Sequence, residues 1–198
     1  MTRTCLLAIL VLVILPGVVA AQTAEVGAFG GAYRIGGNPI GNDGTALYEL
    51  DNGWMMGGFL TLNTYRHFGH EISYSYNRTS LVFTDPTTGE QLLKQGTAAH
   101  RAAYNFLAYA TPEGSAFRPF VTGGAHFATY AYPGYSATYG GSTKVGINYG
   151  GGFKVRVTPI WGIRFDVRDY RNPAPYGLPA AHGWINQLSF TAGFELLL

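Results

Sequence analysis

Residues 144–167 have the sequence KVGINYGGGFKVRVTPIWGIRFDV, in which large apolar side chains alternate with small or charged ones. Successive residues of a β-strand point to opposite faces. The alternation therefore places Val145 and Phe153 on one face, and Lys154 and Arg156 on the other. It breaks once, at a proline-containing turn, and then resumes. The stretch predicts a two-stranded hairpin with one apolar and one polar face.

The chain has fewer charged residues than a water-soluble domain of its size. Charged residues make up 12% of the 198 residues, about half of the ~25% that is usual for a soluble domain. Aromatic residues make up 15%, and there are 28 glycines. Lysine and arginine total 13 and aspartate and glutamate 11, with no dense basic run. This composition leaves too little charge for an ordinary wetted surface and gives no electrostatic footprint for nucleic-acid binding.

Residues 1–21 are predicted to be a cleaved secretory signal peptide. Arg3 precedes an apolar run over residues 5–15, and small residues follow at 19–21. The run is shorter than the roughly 20 apolar residues that a membrane-spanning helix needs. Its removal takes away one arginine and the single cysteine, so that 12 basic and 11 acidic residues remain. We expect residues 22–198 to form one domain.

Segments with a period of two predict eight antiparallel strands. They lie near residues 24–36, 53–65, 70–81, 97–111, 117–131, 143–158, 160–170 and 184–198. Short connections near residues 67–69, 112–116 and 159–160 alternate with long ones near 37–52, 84–95, 132–142 and 171–183. Short turns on one side and long loops on the other are typical of outer-membrane barrels. An even number of strands puts both ends of the barrel domain on the short-turn side, which faces the periplasm.

The volume of the apolar side chains decides which face points outward. A soluble barrel of the lipocalin type has the same alternation with its apolar residues inside. The last three predicted strands alone carry a long series of bulky apolar side chains on one face, from Val145 to Leu198. An eight-stranded barrel has room only for tightly packed side chains or one small ligand. We therefore predict an all-β, eight-stranded, antiparallel up-and-down transmembrane barrel whose bulky face contacts lipid.

The opposite face carries small and charged side chains, which we expect to line the lumen. The predicted lumen charges are Arg34, Glu71, Arg101, Lys154, Arg156, Arg164, Asp166, Arg168 and Glu195. A hairpin symmetric about residue 160 places Lys154 opposite Asp166. Similar depth on neighbouring strands favours a pair between Arg164 and Glu195. Such pairs are expected to plug the lumen as a structural network, at a desolvation cost of several kcal/mol per ion. The alternative is that these charges line a narrow pore or form an acid–base site.

Motifs for metal binding and catalysis are weak. His67, His70 and Glu71 form an H-x-x-H-E sequence, which differs from the helical H-E-x-x-H metal motif and lies at a tight turn. His126 and Ser189 both face the lumen by parity, but no third group is evident that would orient a nucleophile and its base. We therefore predict no catalytic residue, metal ligand or cofactor.

Three segments resemble the small outer-membrane β-barrel proteins of the OmpA/OmpX type. They are FRPFV at 117–121 with the glycine pair that follows, NYGGGFKV at 148–155, and GIRFDVRDY at 162–170. The likeness is strongest over residues 117–198. It implies a location in the outer membrane of a Gram-negative bacterium, in contact with outer-membrane lipid. It also implies delivery by periplasmic chaperones and insertion by the barrel assembly machinery.

These observations favour a non-enzymatic barrel whose long outward loops have structural or surface-interaction roles. The sequence does not identify an extracellular ligand. One alternative is a narrow porin-like channel with a basic lumen, which ion conductance across planar bilayers would reveal. A second alternative is a lipid-modifying barrel enzyme, which needs a lipid-facing serine and histidine near the outer leaflet. A change in the mass of lipid A in expressing cells tests this alternative.

Overall fold

The computed structural model describes residues 23–36, 39–131, 141–176 and 183–198, and within them ten β-strands form one antiparallel sheet. The strands are β1 (Thr23–Gly36), β2 (Gly41–Asn42), β3 (Leu47–Leu50), β4 (Gly53–Tyr65), β5 (Phe68–Thr84), β6 (Gln91–Tyr109), β7 (Phe117–Ala131), β8 (Gly141–Arg156), β9 (Trp161–Pro173) and β10 (Trp184–Leu197). Around the ring the order is β1, β4, β5, β6, β7, β8, β9 and β10, which closes where β1 pairs with β10. The predicted closed barrel of eight antiparallel strands is confirmed. No helix in these described ranges is long and apolar enough to cross a membrane.

Seven of the eight barrel strands begin and end within a few residues of their predicted bounds, and the fourth predicted strand ends near its predicted position but begins six residues earlier. The main difference is the predicted long loop near residues 84–95. Here β5 and β6 stay paired beyond the barrel wall, up to Thr84 and Gln91, so that only residues 85–90 connect them. Asp85 Oδ1 accepts hydrogen bonds from the backbone N–H groups of Thr87 and Thr88, at 2.7 and 3.1 Å. This side-chain acceptor stabilises a tight turn where the sequence suggested an irregular loop.

Parts of other predictions fall outside the described residues. These are the signal peptide at residues 1–21, most of the predicted loop near 132–142, and residues 177–182 of the predicted loop near 171–183. The signal peptide and the details of these loops remain predictions.

The first long connection folds into a small hairpin that covers the outer end of the lumen. β2 pairs with β3, and β3 continues the barrel sheet by pairing with β5. Side chains of this hairpin and of the strand ends form an apolar cluster, called the outer cap. It consists of Ile40, Ala46, Tyr48, Leu50, Leu81, Ala99, Ala128, Tyr130, Ala174, Tyr176 and Ile185. This cover was not predicted from the sequence.

The bulky apolar side chains of β8, β9 and β10 lie on the outer surface of the barrel. Phe153, Phe165 and Phe190 are 37%, 42% and 48% exposed. Their sequence neighbours Lys154 and Asp166 are buried in the interior. The predicted facing of these strands is therefore confirmed, because alternate residues meet lipid and lumen.

An inward glycine on β8 leaves room for a ring from the neighbouring strand. A Cβ atom at Gly152 would lie 2.0 Å from the Phe165 carbonyl oxygen and 2.9 Å from Cζ of Phe120. The Phe120 side chain on β7 thus occupies the volume in front of this glycine. The interior at this depth is full, and a larger residue at position 152 would clash with it.

Candidate functional site: the charged barrel interior

Within the described residues, nine charged side chains are buried in the barrel. They are Glu25, Glu71, Arg101, Arg118, Lys154, Arg164, Asp166, Arg168 and Glu195. Five are basic and four are acidic, so this set carries one surplus positive charge. Their contacts divide them into an inner group near the short turns, a central group, and Arg101 nearer the outer cap.

Glu25 on β1 lies at the centre of the inner group. Its Oε2 accepts a hydrogen bond from Lys154 Nζ on β8, and its Oε1 accepts one from Asn63 Nδ2 on β4 at 2.8 Å. Arg118 Nη1 on β7 lies 3.6 Å from the same Oε1. Lys154 Nζ also lies 3.3 Å from Glu195 Oε2 on β10. Two cations and two carboxylates therefore neutralise each other at this end of the lumen.

The central group crosses the lumen. Arg164 donates from Nη1 to Glu71 Oε2 at 2.5 Å and from Nε to Asp166 Oδ2 at 2.7 Å. Arg168 Nη1 lies 2.9 Å from Glu71 Oε1, and its Nη2 donates to Asp166 Oδ1 at 2.9 Å. Glu71 is on β5 and the other three residues are on β9. These strands lie opposite each other in the ring, so the salt bridges span the full width of the barrel.

Aromatic rings cover several of the cations. The Arg118 guanidinium lies 3.7 Å from the centroid of the Tyr109 ring. The Arg164 guanidinium lies 4.5 Å from the Phe59 centroid and 4.8 Å from the Phe120 centroid. A cation over an aromatic face gains roughly 0.5–2 kcal/mol. The rings also exclude water from the ion pairs, which strengthens each electrostatic contact and each penalty for a missing partner.

Arg101 on β6 forms no ion pair with an acidic side chain in the described part of the chain. Its Nη2 donates to Gln187 Oε1 at 2.6 Å, and its Nη1 donates to Asn77 Oδ1 at 3.4 Å. The guanidinium lies 4.0 Å from the centroid of the Tyr170 ring. Amide oxygens and a ring face therefore take the place of a carboxylate, and Arg101 accounts for the surplus charge.

The interior next to the central group has little free space. A cavity of about 20 Å³ is bounded by Phe29, Phe59, Glu71, Arg164 and Arg168 among others. A cavity of this size holds about one water molecule.

The predicted pair between Lys154 and Asp166 is wrong. In the β8–β9 hairpin, Lys154 lies opposite Arg164, and Asp166 lies opposite Gly152. The hairpin is thus centred on residue 159 and not on 160. A shift of one residue in the turn changes the opposing residue by two positions, which replaces the predicted partner by a residue of like charge.

The predicted pair between Arg164 and Glu195 is also wrong. In the β9–β10 register, Glu195 lies opposite Gly162, whereas Arg164 lies opposite Gly193. The two residues are therefore offset by two positions. Arg164 binds Glu71 and Asp166 instead, and Glu195 pairs with Lys154.

The predicted lumen position of Arg34 is wrong. Its side chain is exposed on the outer face of β1. Its neighbour Tyr33 points inward and is 2% exposed. On this strand the bulky residues Phe29 and Tyr33 fill the lumen, whereas bulky residues were predicted to face lipid. Of the other predicted charges, Arg156 is half-buried at the inner rim, and the remaining seven are buried.

Glu25 and Arg118 belong to the inner group but were not predicted. Both lie close to the inner ends of their strands. Continuing the period-two pattern of β7 from His126 would have placed Arg118 inward, whereas the predicted facing of β1, with Arg34 inward, would have placed Glu25 outward. Their contacts could not have been found this way, because they reach across the lumen.

The residues of the H-x-x-H-E motif lie apart, since His67 is in the turn before β5 whereas His70 and Glu71 lie on opposite faces of β5. Glu71 points inward, whereas His70 Nδ1 lies 2.7 Å from the Tyr104 hydroxyl on the outer side. In the described ranges, no group of three or more His, Cys, Asp or Glu side chains is placed to hold a metal ion.

Ser189 and His126 point inward, as parity predicted, but they bind different partners. The Ser189 hydroxyl donates to the Arg168 carbonyl at 3.0 Å. His126 Nε2 lies 3.4 Å from Asn172 Oδ1. The two side chains are not hydrogen-bonded to each other as a nucleophile and base would be.

The closed sheet, the apolar outer surface and the buried charges together define a transmembrane β-barrel. The sequence pattern of the outer membrane protein beta-barrel domain matches residues 7–194. The chain belongs to this family, which implies a bacterial outer-membrane location. The resemblance to small outer-membrane barrels found in the sequence is thereby confirmed.

Similar solved structures are also outer-membrane barrels. OprG of Pseudomonas aeruginosa has a TM-score of 0.62 at 12% identity, covering 90% of this chain and 96% of OprG. Neisserial surface protein A has a TM-score of 0.57 at 10% identity, covering 88% and 96%. The N-terminal barrel domain of Pseudomonas aeruginosa OprF has a TM-score of 0.54 at 14% identity, covering 89% and 97%. At these identities the likeness concerns the fold. Comparison with curated protein sequences gives no match.

Proposed function

We propose that the chain is a non-enzymatic outer-membrane protein whose lumen is closed by ion pairs and whose outer hairpins make structural or surface contacts. The observation that carries this proposal is the central group. Glu71 binds Arg164 and Arg168 from the opposite wall of the barrel. An ion could pass only by breaking both salt bridges in a space that holds about one water molecule.

Planar bilayer recordings test the closure of the lumen. The unmodified chain should give no steady current. The double variant Arg164→Ala and Arg168→Ala removes the bridge across the lumen and should give a measurable one, because two uncompensated carboxylates then attract water and cations. Folding of each variant is checked by the heat-dependent gel shift expected of a closed barrel.

Arg171→Ala is the matched control, since Arg171 pairs with Asp169 on the outer surface. It should remain as closed as the unmodified chain. A steady anion-selective current from the unmodified chain would contradict the proposal and support the narrow porin-like channel. The single surplus cation in the described interior, Arg101, is the observation that favours this second candidate.

The lipid-modifying enzyme has less support. It needs a serine and a histidine paired on the lipid-facing surface. The outward His70 and His100 lie 2.7 and 2.6 Å from the hydroxyls of Tyr104 and Tyr74. No serine is hydrogen-bonded to a histidine in the part of the chain that the structure describes. We expect lipid A to keep its mass in expressing cells, and a changed mass would overturn the non-enzymatic assignment.

We also propose the partners that the family implies. These are outer-membrane lipid around the apolar surface, periplasmic chaperones during transit and the barrel assembly machinery at insertion. The exposed phenylalanines of β8 to β10 support the need for chaperones, because these side chains are apolar and unprotected before insertion. Depletion of the assembly machinery should reduce the heat-modifiable form of the protein in cells, and an unchanged yield would contradict this partner.

A further inference from the structure

A cavity of about 510 Å³ opens at the short-turn end of the barrel, beneath the inner group. We call it the inner mouth. The side chains of Arg66, Arg118 and Arg156 line it, together with those of Glu25 and Glu113. Its volume is in the range of sites that hold small organic molecules. Its lining side chains, three cations and two carboxylates, carry one net positive charge.

Among the described residues, neither carboxylate of the inner mouth accepts a hydrogen bond from the three arginines, although Glu25 lies 3.6 Å from Arg118 Nη1 in the inner group. Glu25 accepts hydrogen bonds from Lys154 and Asn63. Glu113 accepts a hydrogen bond from the Thr23 hydroxyl. Both carboxylates keep their negative charge, but within the described ranges neither supplies a hydrogen-bond acceptor to the three guanidinium groups.

Arg118 and Arg156 retain donors without an acceptor. Arg118 is 4% exposed, and its Nε and Nη2 are buried with no hydrogen-bond partner among the described residues. The same is true of Arg156 Nε. Arg118 Nη1 lies 3.6 Å from Glu25 Oε1, which is longer than a hydrogen bond. Buried donors are costly to leave unpaired, so this cluster is suited to an added acceptor with several oxygens.

The chemistry of the walls indicates the kind of acceptor. A guanidinium is a planar fork of donors that matches carboxylate and phosphate oxygens. Pro159, Leu197 and Leu198 contribute apolar surface beside the arginines. The walls therefore match an oxyanion that is attached to a small apolar group.

We propose that the inner mouth binds an oxyanion, the carboxylate or phosphate group of a periplasmic molecule. Arg66, Arg118 and Arg156 hold this group by charge-assisted hydrogen bonds. The short turns of outer-membrane barrels face the periplasm, which fixes the compartment of the ligand. The site is separate from the central group, and its occupation does not depend on whether the lumen conducts.

Isothermal titration calorimetry of the full chain, folded in detergent, tests the site. One arm uses inorganic phosphate and the other uses N-acetyl-alanyl-alanine, which carries a single terminal carboxylate. Sodium chloride at matched ionic strength is the reference, because salt alone screens the arginines. At least one arm should saturate at one molecule per barrel, and the tighter arm identifies the source of the oxyanion.

Arg156→Gln should weaken this binding about ten-fold, the size expected when a charge-assisted hydrogen bond is lost. Arg66→Gln should weaken it as well, and its exposed position keeps the test valid if Arg156→Gln does not fold. Arg34→Gln, which removes one exposed cation near the outer end of β1, is the control and should bind as the unmodified chain does.

Two outcomes would overturn the proposal. One is that neither phosphate nor the peptide binds above the chloride reference. The other is that Arg34→Gln weakens binding as much as the variants at the inner mouth, which would mean that net charge and not this site attracts the anion.

Discussion

The outer and inner halves of the lumen are filled by different means. The outer cap packs tyrosines and aliphatic side chains from the strand ends and from the β2–β3 hairpin. The inner and central groups consist of paired charges under aromatic rings. Apolar packing depends on filled volume, whereas a buried ion pair depends on the presence of both partners. Loss of one side chain therefore leaves a cavity in the outer half and an uncompensated charge in the inner half.

The largest expected effect is that of Arg164→Leu. This change leaves Glu71 and Asp166 buried with only Arg168 between them, which should lower the free energy of unfolding by about 3–5 kcal/mol. Urea unfolding of the chain in lipid vesicles measures it. Arg34→Leu removes the same charge from the outer surface and should change stability by about 0.5 kcal/mol or less. Equal effects of the two variants would refute the contrast between the halves.

A smaller effect is expected from Leu81→Ala in the outer cap. Leu81 is 3% exposed, and truncating a buried leucine costs about 2–5 kcal/mol. We expect the lower end of this range, because the outer cap lies at the end of the barrel, where neighbouring side chains can move into the space. Leu92→Ala is the control, since Leu92 lies on β6 beyond the barrel wall and is 54% exposed. If the two truncations have the same effect, the cap is not a packed core.

The smallest effect concerns Asp43 in the turn of the β2–β3 hairpin. Hydrogen bonds from Thr45, Tyr48 and the backbone N–H of Ala46 hold the pKa of the Asp43 carboxyl well below its usual range. A lowered pKa in the folded state contributes stability above the unfolded value, and this stability is lost as the pH falls through the folded value. The hairpin should therefore keep its structure down to about pH 4, the ordinary value for aspartate, and loosen only in stronger acid.

Amide hydrogen exchange at Thr45 and Ala46 measures this loosening as the pH is lowered. Amide hydrogen exchange beside the central group, measured at the same pH, provides the comparison between the two halves. Asp43→Asn should remove the acid-dependent step at these two amides. A step that persists in this variant would have to come from another group.

The period-two pattern was sufficient to predict the barrel and most of its facing. Phe153 and Phe165 could be assigned to the outer surface because every residue on that face meets the same surroundings. On β1 the same reasoning failed, since Phe29 and Tyr33 fill lumen space and Arg34 points outward. Bulk alone does not distinguish lipid from a packed interior when neighbouring strands contribute small residues.

The ion pairs that cross the lumen could not be predicted from the sequence. Glu25 and Lys154 are 129 residues apart and meet across the lumen, and no pattern within one strand contains this contact. Between the neighbouring strands β8 and β9, the register that places Lys154 opposite Arg164 was missed because it depends on the centre of the turn. The outer cap was missed for a similar reason, as its hairpin lies in a segment with no long alternation.

The seam between β1 and β10 constrains the timing of folding. Twelve residue pairs join these strands, from Glu25 with Leu197 to Gly36 with Asn186. One edge of β1 therefore has no partner until the ribosome has translated the final strand. Contacts of such long sequence separation form slowly. The barrel is thus bound to stay open along this seam until β10 has been made, although β1 is the first strand to be synthesised.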